Sequence, residues 1–254
     1  MTPAVLEACR GLLAAERLGA RLTAVGGPAV GASAVVDLSG TILAGSLPSE
    51  VASDVVADAL ALMDRERDET LAYGLHEIYV ETLAPPPRLF VFGAVHIAQS
   101  LTTLATHLGY RVTVSDSRAA FATEARFPDA AELLVGWPDQ IADRLTFDHR
   151  AFVVVLSHDA RFEDPLWPLV LGRPVRYLGA MGSTATAARR RERLLAAGHQ
   201  PSEVERIHGP IGLDIGAVTP GEVAVAILAE MTEARYGHRR PPVLQGEVRR
   251  LGRR

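Results

Sequence analysis

Hydrophobic positions along the chain follow two rhythms, and the change falls at Pro85-Pro86-Pro87. Three prolines continue neither a helix nor a central strand, and they favour a stiff extended connector. Before them, short branched runs at 22–25, 33–37 and 41–43 predict strands, separated by turn signals at Gly26-Gly27-Pro28 and Ser39-Gly40. From Pro48 to about Met63, Val51, Val55, Ala59 and Leu62 recur on one broad face. Glu50, Asp54, Asp58 and Asp64 lie elsewhere, so the segment predicts a helix. Residues 76–83 alternate as a further strand. This first part, residues 1–84, reads as a small α+β domain.

After the prolines, apolar runs at 89–92, 111–116, 133–135, 152–156 and 175–179 each end in a polar or glycine loop and lead into a helical stretch. Helices are predicted over 97–108, 184–197, 202–206 and 220–234. That βα alternation predicts an α/β fold, a Rossmann-like parallel sheet domain over 85–236 preceded by the small α+β domain. Residues 237–254 read as an Arg-rich flexible tail.

Composition narrows the chemistry. The 254 residues are 48% hydrophobic and 22% charged, values of a soluble globular chain. All 26 basic side chains are Arg, which excludes a lysine nucleophile, a Schiff base and the lysine of a Walker phosphate loop. The single cysteine, Cys9, excludes an intrachain disulfide and a cysteine-based cluster. No metal site is expected. Residues 1–84 carry five Arg against twelve acids and the remainder twenty-one Arg against eighteen, so the net −4 divides into −7 and +3. Neither a nucleic-acid nor a membrane surface is expected, and the start of the chain shows no leader pattern, which points to the cytoplasm. The second part can still receive an anionic ligand.

Candidate residues cluster where the predicted strands end. Gly93, with His96 behind it, occupies the place of a dinucleotide fold's phosphate loop, and Asp116 closes the second strand. The second and third glycines of that loop are Val95 and Ala98 here. Val95 puts a side chain where a pyrophosphate needs bare backbone, so NAD(P) binding in the usual pose is not expected. Ser157, His158 and Asp159 follow the fourth strand. Gly179, Gly182 and Ser183 follow the fifth, ahead of a helix bearing Arg189, Arg190, Arg191 and Arg193, which reads as a solvated face. Asp214 lies in a glycine-rich crossover, and Thr219, Pro220 and Glu222 form the signature of a capped helix start.

These segments resemble the XdhC/CoxI family of accessory proteins for molybdenum hydroxylases such as xanthine dehydrogenase. The resemblance is carried by Pro210-Ile211-Gly212-Leu213-Asp214-Ile215-Gly216 through Glu230, by Tyr177-Leu178-Gly179 with Met181-Gly182-Ser183, and by His158-Asp159. Gly93-Ala94, His96, Asp116, Arg118, Phe121 and Arg126-Phe127-Pro128 add to it, so that it spans residues 88–235. The resemblance implies a non-enzymatic factor that binds molybdopterin-type molybdenum cofactor, promotes its sulfuration and delivers it to a client hydroxylase. A cysteine desulfurase or a cysteine-bearing XdhC-like paralogue would be a partner, with a homodimer also open. An NAD(P)-linked oxidoreductase and a regulatory scaffold are the alternative functions. The implied ligand-binding residues are Gly93, His96, Asp116, Ser157, His158, Asp159, Gly179, Gly182, Ser183 and Asp214. The chain departs from the family where a Gly-Gly-Cys-x-Glu motif would stand, reading Leu43-Ala44-Gly45-Ser46-Leu47-Pro48-Ser49-Glu50, and a second, glycine- and cysteine-rich segment between Tyr73-Gly74 and the His76 strand is missing.

Overall fold

The computed structural model describes residues 2–237 and 244–248. The chain divides into two units: the first 85 residues together with the described end from Tyr236, and Pro86–Arg235.

In the first unit, helix α1 (Pro3–Ala14) starts where the Thr2 hydroxyl accepts the Val5 amide and Pro3 occupies the first turn. Strands β1 (Gly19–Gly26), β2 (Ser33–Asp37) and β3 (Ile42–Gly45) follow, then helix α2 (Ala52–Asp64) and strands β4 (Glu69–Tyr73) and β5 (His76–Leu83). The strands pair antiparallel in the order β4-β5-β1-β2-β3. Alternate side chains of β2 serve opposite faces. Val36 joins Leu22, Val55, Ala59, Leu62 and Ile78 under α2, whereas Val35 joins Val5, Cys9 and Leu12 under α1. Each face therefore has its own helix, which is why β2 is apolar along nearly its whole length.

The second unit holds β6 (Arg88–Phe92), α3 (His96–His107), β7 (Arg111–Asp116), β8 (Glu132–Val135) and β9 (Ala151–Val155). Short helices α4 (Ala160–Glu163) and α5 (Trp167–Val170) lead to β10 (Tyr177–Ala180), then α6 (Thr184–Ala196), α7 (Pro201–Val204) and α8 (Pro220–Tyr236). Its sheet is wholly parallel, ordered β10-β9-β6-β7-β8. Leu89 and Val91 pack with Leu101 of α3 and Ile227 and Met231 of α8. Phe90 and Phe92 pack on the other face with Phe162, Trp167 and Leu194. The sheet is an α/β Rossmann arrangement, and its strand order reverses direction between β6 and β9. A doubly wound sheet opens its ligand crevice at that point.

Three details differ from the sequence expectation. The second helix begins at Ala52, because Pro48 starts a turn in which its carbonyl accepts the Val51 amide at 3.2 Å. Strand β4 was hidden by its brevity and its mixed residues, Glu69-Thr70-Leu71-Ala72-Tyr73. The end of the chain is not wholly a loose tail. Residues Glu247–Val248 form strand β11 against Ala72 and Leu71 of β4. The cause is Asp58, which the periodicity set apart from the apolar face of α2 but which is buried. Its carboxylate accepts the Gln245 and Gly246 amides at 2.6 and 2.8 Å and the Tyr73 hydroxyl at 2.8 Å. Residues 238–243 and 249–254 lie outside the described residues. Among the described residues no helix is long and apolar enough to cross a membrane.

Candidate functional site

At the reversal point, the loops after β6, β7, β8 and β9 surround a cavity of about 710 Å³. Gly93, Asp116, Ser157, His158 and Asp159 all line it, as the sequence placed them. Gly93 forms its floor with φ +111°, and a Cβ there would stand 3.0 Å from the Ser157 amide nitrogen. A side chain at this point would push apart the ends of β6 and β9. Ser157 turns inward locally, accepting the Asp159 amide at 3.1 Å.

Asp116 is held more tightly than a free ligand group. Its Oδ1 accepts the Arg118 amide at 3.0 Å and Nε at 2.8 Å, while Oδ2 accepts the Ala94 amide and Arg118 Nη2, both at 2.8 Å. Burial alone would raise its pKa, but the Arg118 guanidinium and the two amides outweigh it and hold the carboxyl below the usual range. A depressed folded pKa adds stability that is complete above the unfolded value near 4 and is lost as pH falls through the folded one. Asp116→Asn, which can offer only one acceptor oxygen to these donors, is expected to lower stability at pH 7 by about 1–3 kcal/mol. The gap from wild type should narrow in urea melts at pH 3. An equal gap at both pH values would show that the charge of Asp116 contributes nothing.

The cavity also contains residues that were not singled out from sequence. Trp137 and Phe162 form an aromatic side, their rings 6.0 Å apart, and Arg161 reaches the rim paired with Asp159. Each follows a strand end by a few residues, the same signal that marked Ser157. Helix α3 opens at Val95 with no side-chain cap. The start of α6 is capped by Ser183, which accepts the Thr186 amide at 3.2 Å, and Glu222 accepts the Val218 and Thr219 amides at the start of α8. Of these three starts, that of α3 has no side-chain cap, and its N-cap residue Val95 lines the cavity.

The remaining candidates sit elsewhere. His96 is the exposed first residue of α3 and does not line the cavity. Gly179 is buried in β10, where a Cβ would meet Ile211 at 2.7 Å, so its bareness admits the 209–216 loop. Gly182, at φ +145°, and Ser183 shape the turn into α6, and Asp214 borders a separate hollow of about 480 Å³ beside Thr184. Arg190 corrects the solvated reading of α6. It is buried against Glu163, with Nε and Nη2 at 2.9 and 3.0 Å from the two carboxylate oxygens, and Nη2 also donates to the Met181 carbonyl at 2.8 Å. The pair ties α6 and the Met181 turn to α4, the helix that follows the His158 loop. Glu230 does similar work across β10, accepting the Tyr177 hydroxyl at 2.5 Å and the Gly212 amide at 2.8 Å, with His208 Nδ1 at 2.9 Å.

The XdhC Rossmann domain, as a protein family, matches residues 89–231, more than half of the chain. Over 158 residues the chain is 33% identical to a probable xanthine dehydrogenase subunit of Bacillus subtilis (strain 168), covering 62% of this chain and 46% of that protein. Over 151 residues it is 27% identical to "Molybdenum cofactor insertion chaperone PaoD" of Escherichia coli (strain K12), covering 59% and 41%. The chain thus spans less than half the length of either curated relative. A crystal structure described as a xanthine dehydrogenase from Bacillus halodurans superposes with a TM-score of 0.69 at 22% identity, covering 90% of this chain and 65% of that one. That likeness establishes the fold.

Proposed function

Because this chain belongs to the XdhC family, we propose that it binds molybdenum cofactor and serves the maturation of a molybdenum hydroxylase of the xanthine dehydrogenase type. The observation that carries the reading is the cavity at the strand reversal, whose residues suit the cofactor's anionic pterin end. Its volume of about 710 Å³ lies within the usual span of small-molecule sites. Trp137 and Phe162 offer flat apolar surface to a heterocycle. Arg118 and Arg161 offer charged donors to a phosphate. The names of the two curated relatives, one a cofactor insertion chaperone and the other part of a xanthine dehydrogenase, point the same way.

When bound, the cofactor supplies the metal centre that the client hydroxylase uses. This chain's residues hold and shield it. They do not supply the sulfur: Cys9 is buried in the first unit, and burial pushes its thiol pKa up, away from the reactive thiolate. A sulfide donor such as a cysteine desulfurase is therefore a partner. The test is activation of an apo-hydroxylase in a defined mixture of cofactor and sulfide donor. Adding the chain should raise the active fraction several-fold, and Cys9→Ser should do so equally well. No gain with wild type, or a gain abolished in Cys9→Ser, contradicts the reading.

A further inference from the structure

The end of β7 says which ligand group the cavity prefers. In a dinucleotide fold, an acid at this place accepts the adenosine ribose hydroxyls. Asp116 has no room for them. A carboxylate offers about four lone-pair positions. Four donors from Ala94 and Arg118 already lie within 3.0 Å of its two oxygens.

Arg118 shows the opposite balance. Its side chain is 55% exposed where that of Asp116 is 3% exposed. Asp116 engages Nε and Nη2, and Nη1 has no hydrogen-bond partner among the described residues. The guanidinium carbon also lies 4.1 Å from the centroid of the Phe121 ring. Held at one edge and one face, the fork has lost most of its rotamer freedom before any ligand arrives, which favours binding. Arg161 and Asp159 repeat the two-point pairing, though this acid is itself 44% exposed. Formal charges cancel within each pair, but at Arg118 the guanidinium is exposed while the carboxylate behind it is buried. A diol finds its natural acceptor filled; a phosphate finds unused N–H donors.

We propose that Arg118, positioned by Asp116, makes the cavity select ligands that end in a phosphomonoester over ligands that end in a diol or free hydroxyl. This rests on the reading of the cavity as the cofactor site and specifies the group that anchors the ligand there. Two sources carry such a group, the terminal phosphate of a pterin cofactor and the 2′-phosphate of a dinucleotide, and the shared chemistry is the phosphate dianion.

Calorimetric titration of the whole chain distinguishes them, with four probes: the air-stable oxidised pterin obtained from the cofactor, its dephosphorylated form, NADP⁺ and NAD⁺. The phosphorylated pterin should bind about ten- to a hundredfold more tightly than the dephosphorylated form, the range expected when charge-assisted hydrogen bonds are gained. Arg118→Gln should erase that preference by weakening the phosphorylated probe alone. Arg118→Lys, which keeps the charge facing Asp116 but not the fork, should restore part of it and serves as the readout if the glutamine variant does not fold. Arg189→Gln, an exposed change on α6, should alter neither affinity. Equal affinity for both pterins overturns the proposal and leaves the cofactor reading standing. Preference for NADP⁺ over NAD⁺ without pterin binding upholds the phosphate rule and removes the cofactor reading. Failure of every phosphorylated probe to bind, or a phosphate preference indifferent to both Arg118 variants, overturns the proposal.

Discussion

Arg190→Met should lower the unfolding free energy by about 3–5 kcal/mol, the cost of leaving one partner of a buried ion pair behind. Both side chains are only 3% exposed, so water cannot replace the lost guanidinium at Glu163. Arg193 Nη2, at 3.2 Å from Glu163 Oε2, offers partial compensation from a more exposed position. Glu163→Leu alone should cost as much, because it strands the arginine instead. The double variant should recover most of the loss, since a buried pair exchanged for apolar groups of similar volume is often close to neutral. Urea unfolding of the four proteins closes the cycle. Single variants within about 1 kcal/mol of wild type would mean that the pair is not buried in solution. The consequence for the site is positional. Arg190 also holds the Met181 carbonyl, so the backbone of the Met181 turn and the α4 end of the cavity should show faster amide exchange together when it is lost.

Glu230→Ala is expected to cost about 2–4 kcal/mol. It leaves the buried Tyr177 hydroxyl without its acceptor, at the penalty of an unmade buried hydrogen bond, and also strips the half-buried Gly212 amide of its partner. Burial and the neighbouring Glu230 charge both push the Tyr177 pKa up, so the phenol remains a donor throughout the working range. Glu230→Gln should recover about half of that loss, because its single amide oxygen still accepts where the carboxylate did. Hydrogen exchange over residues 209–216 separates this from a general loss of stability. The alanine variant should release those amides selectively. Uniform acceleration across the sheet would show that Glu230 supports the core and not the loop.

The central strands were legible because a parallel sheet covered on both faces writes itself as unbroken apolar runs, such as Leu89-Phe90-Val91-Phe92 and Phe152-Val153-Val154-Val155. The polar residues following those runs were legible for the same reason: they mark strand ends, and parallel strands all end at one edge. That logic brings Gly93, Asp116, Ser157, His158 and Asp159 to one cavity. It fails where a side chain's partner lies far off in sequence. Asp58 is drawn inward by amides 187 and 188 residues away, and Glu163 meets Arg190 across 27 residues. Four arginines in one helix suggest solvent, yet Arg190 sits one turn before the buried Leu194 and shares its stripe. Asp116 shows a further limit. Its place at the strand end could be read from spacing, but its saturation by Arg118 and Ala94 arises only from the fold around it.

Whether the cavity beneath His158 holds the cofactor is tested most directly by native mass spectrometry of the chain, purified without oxygen from cofactor-producing cells. Wild type is compared with His158→Glu. His158 is exposed at the cavity, so the substitution should leave the melting temperature nearly unchanged while setting a carboxylate against an anionic ligand. Wild type should carry a cofactor-sized added mass, and His158→Glu should lose it. A bare wild-type chain, or a folded His158→Glu chain that carries the full added mass, would contradict cofactor binding at this site.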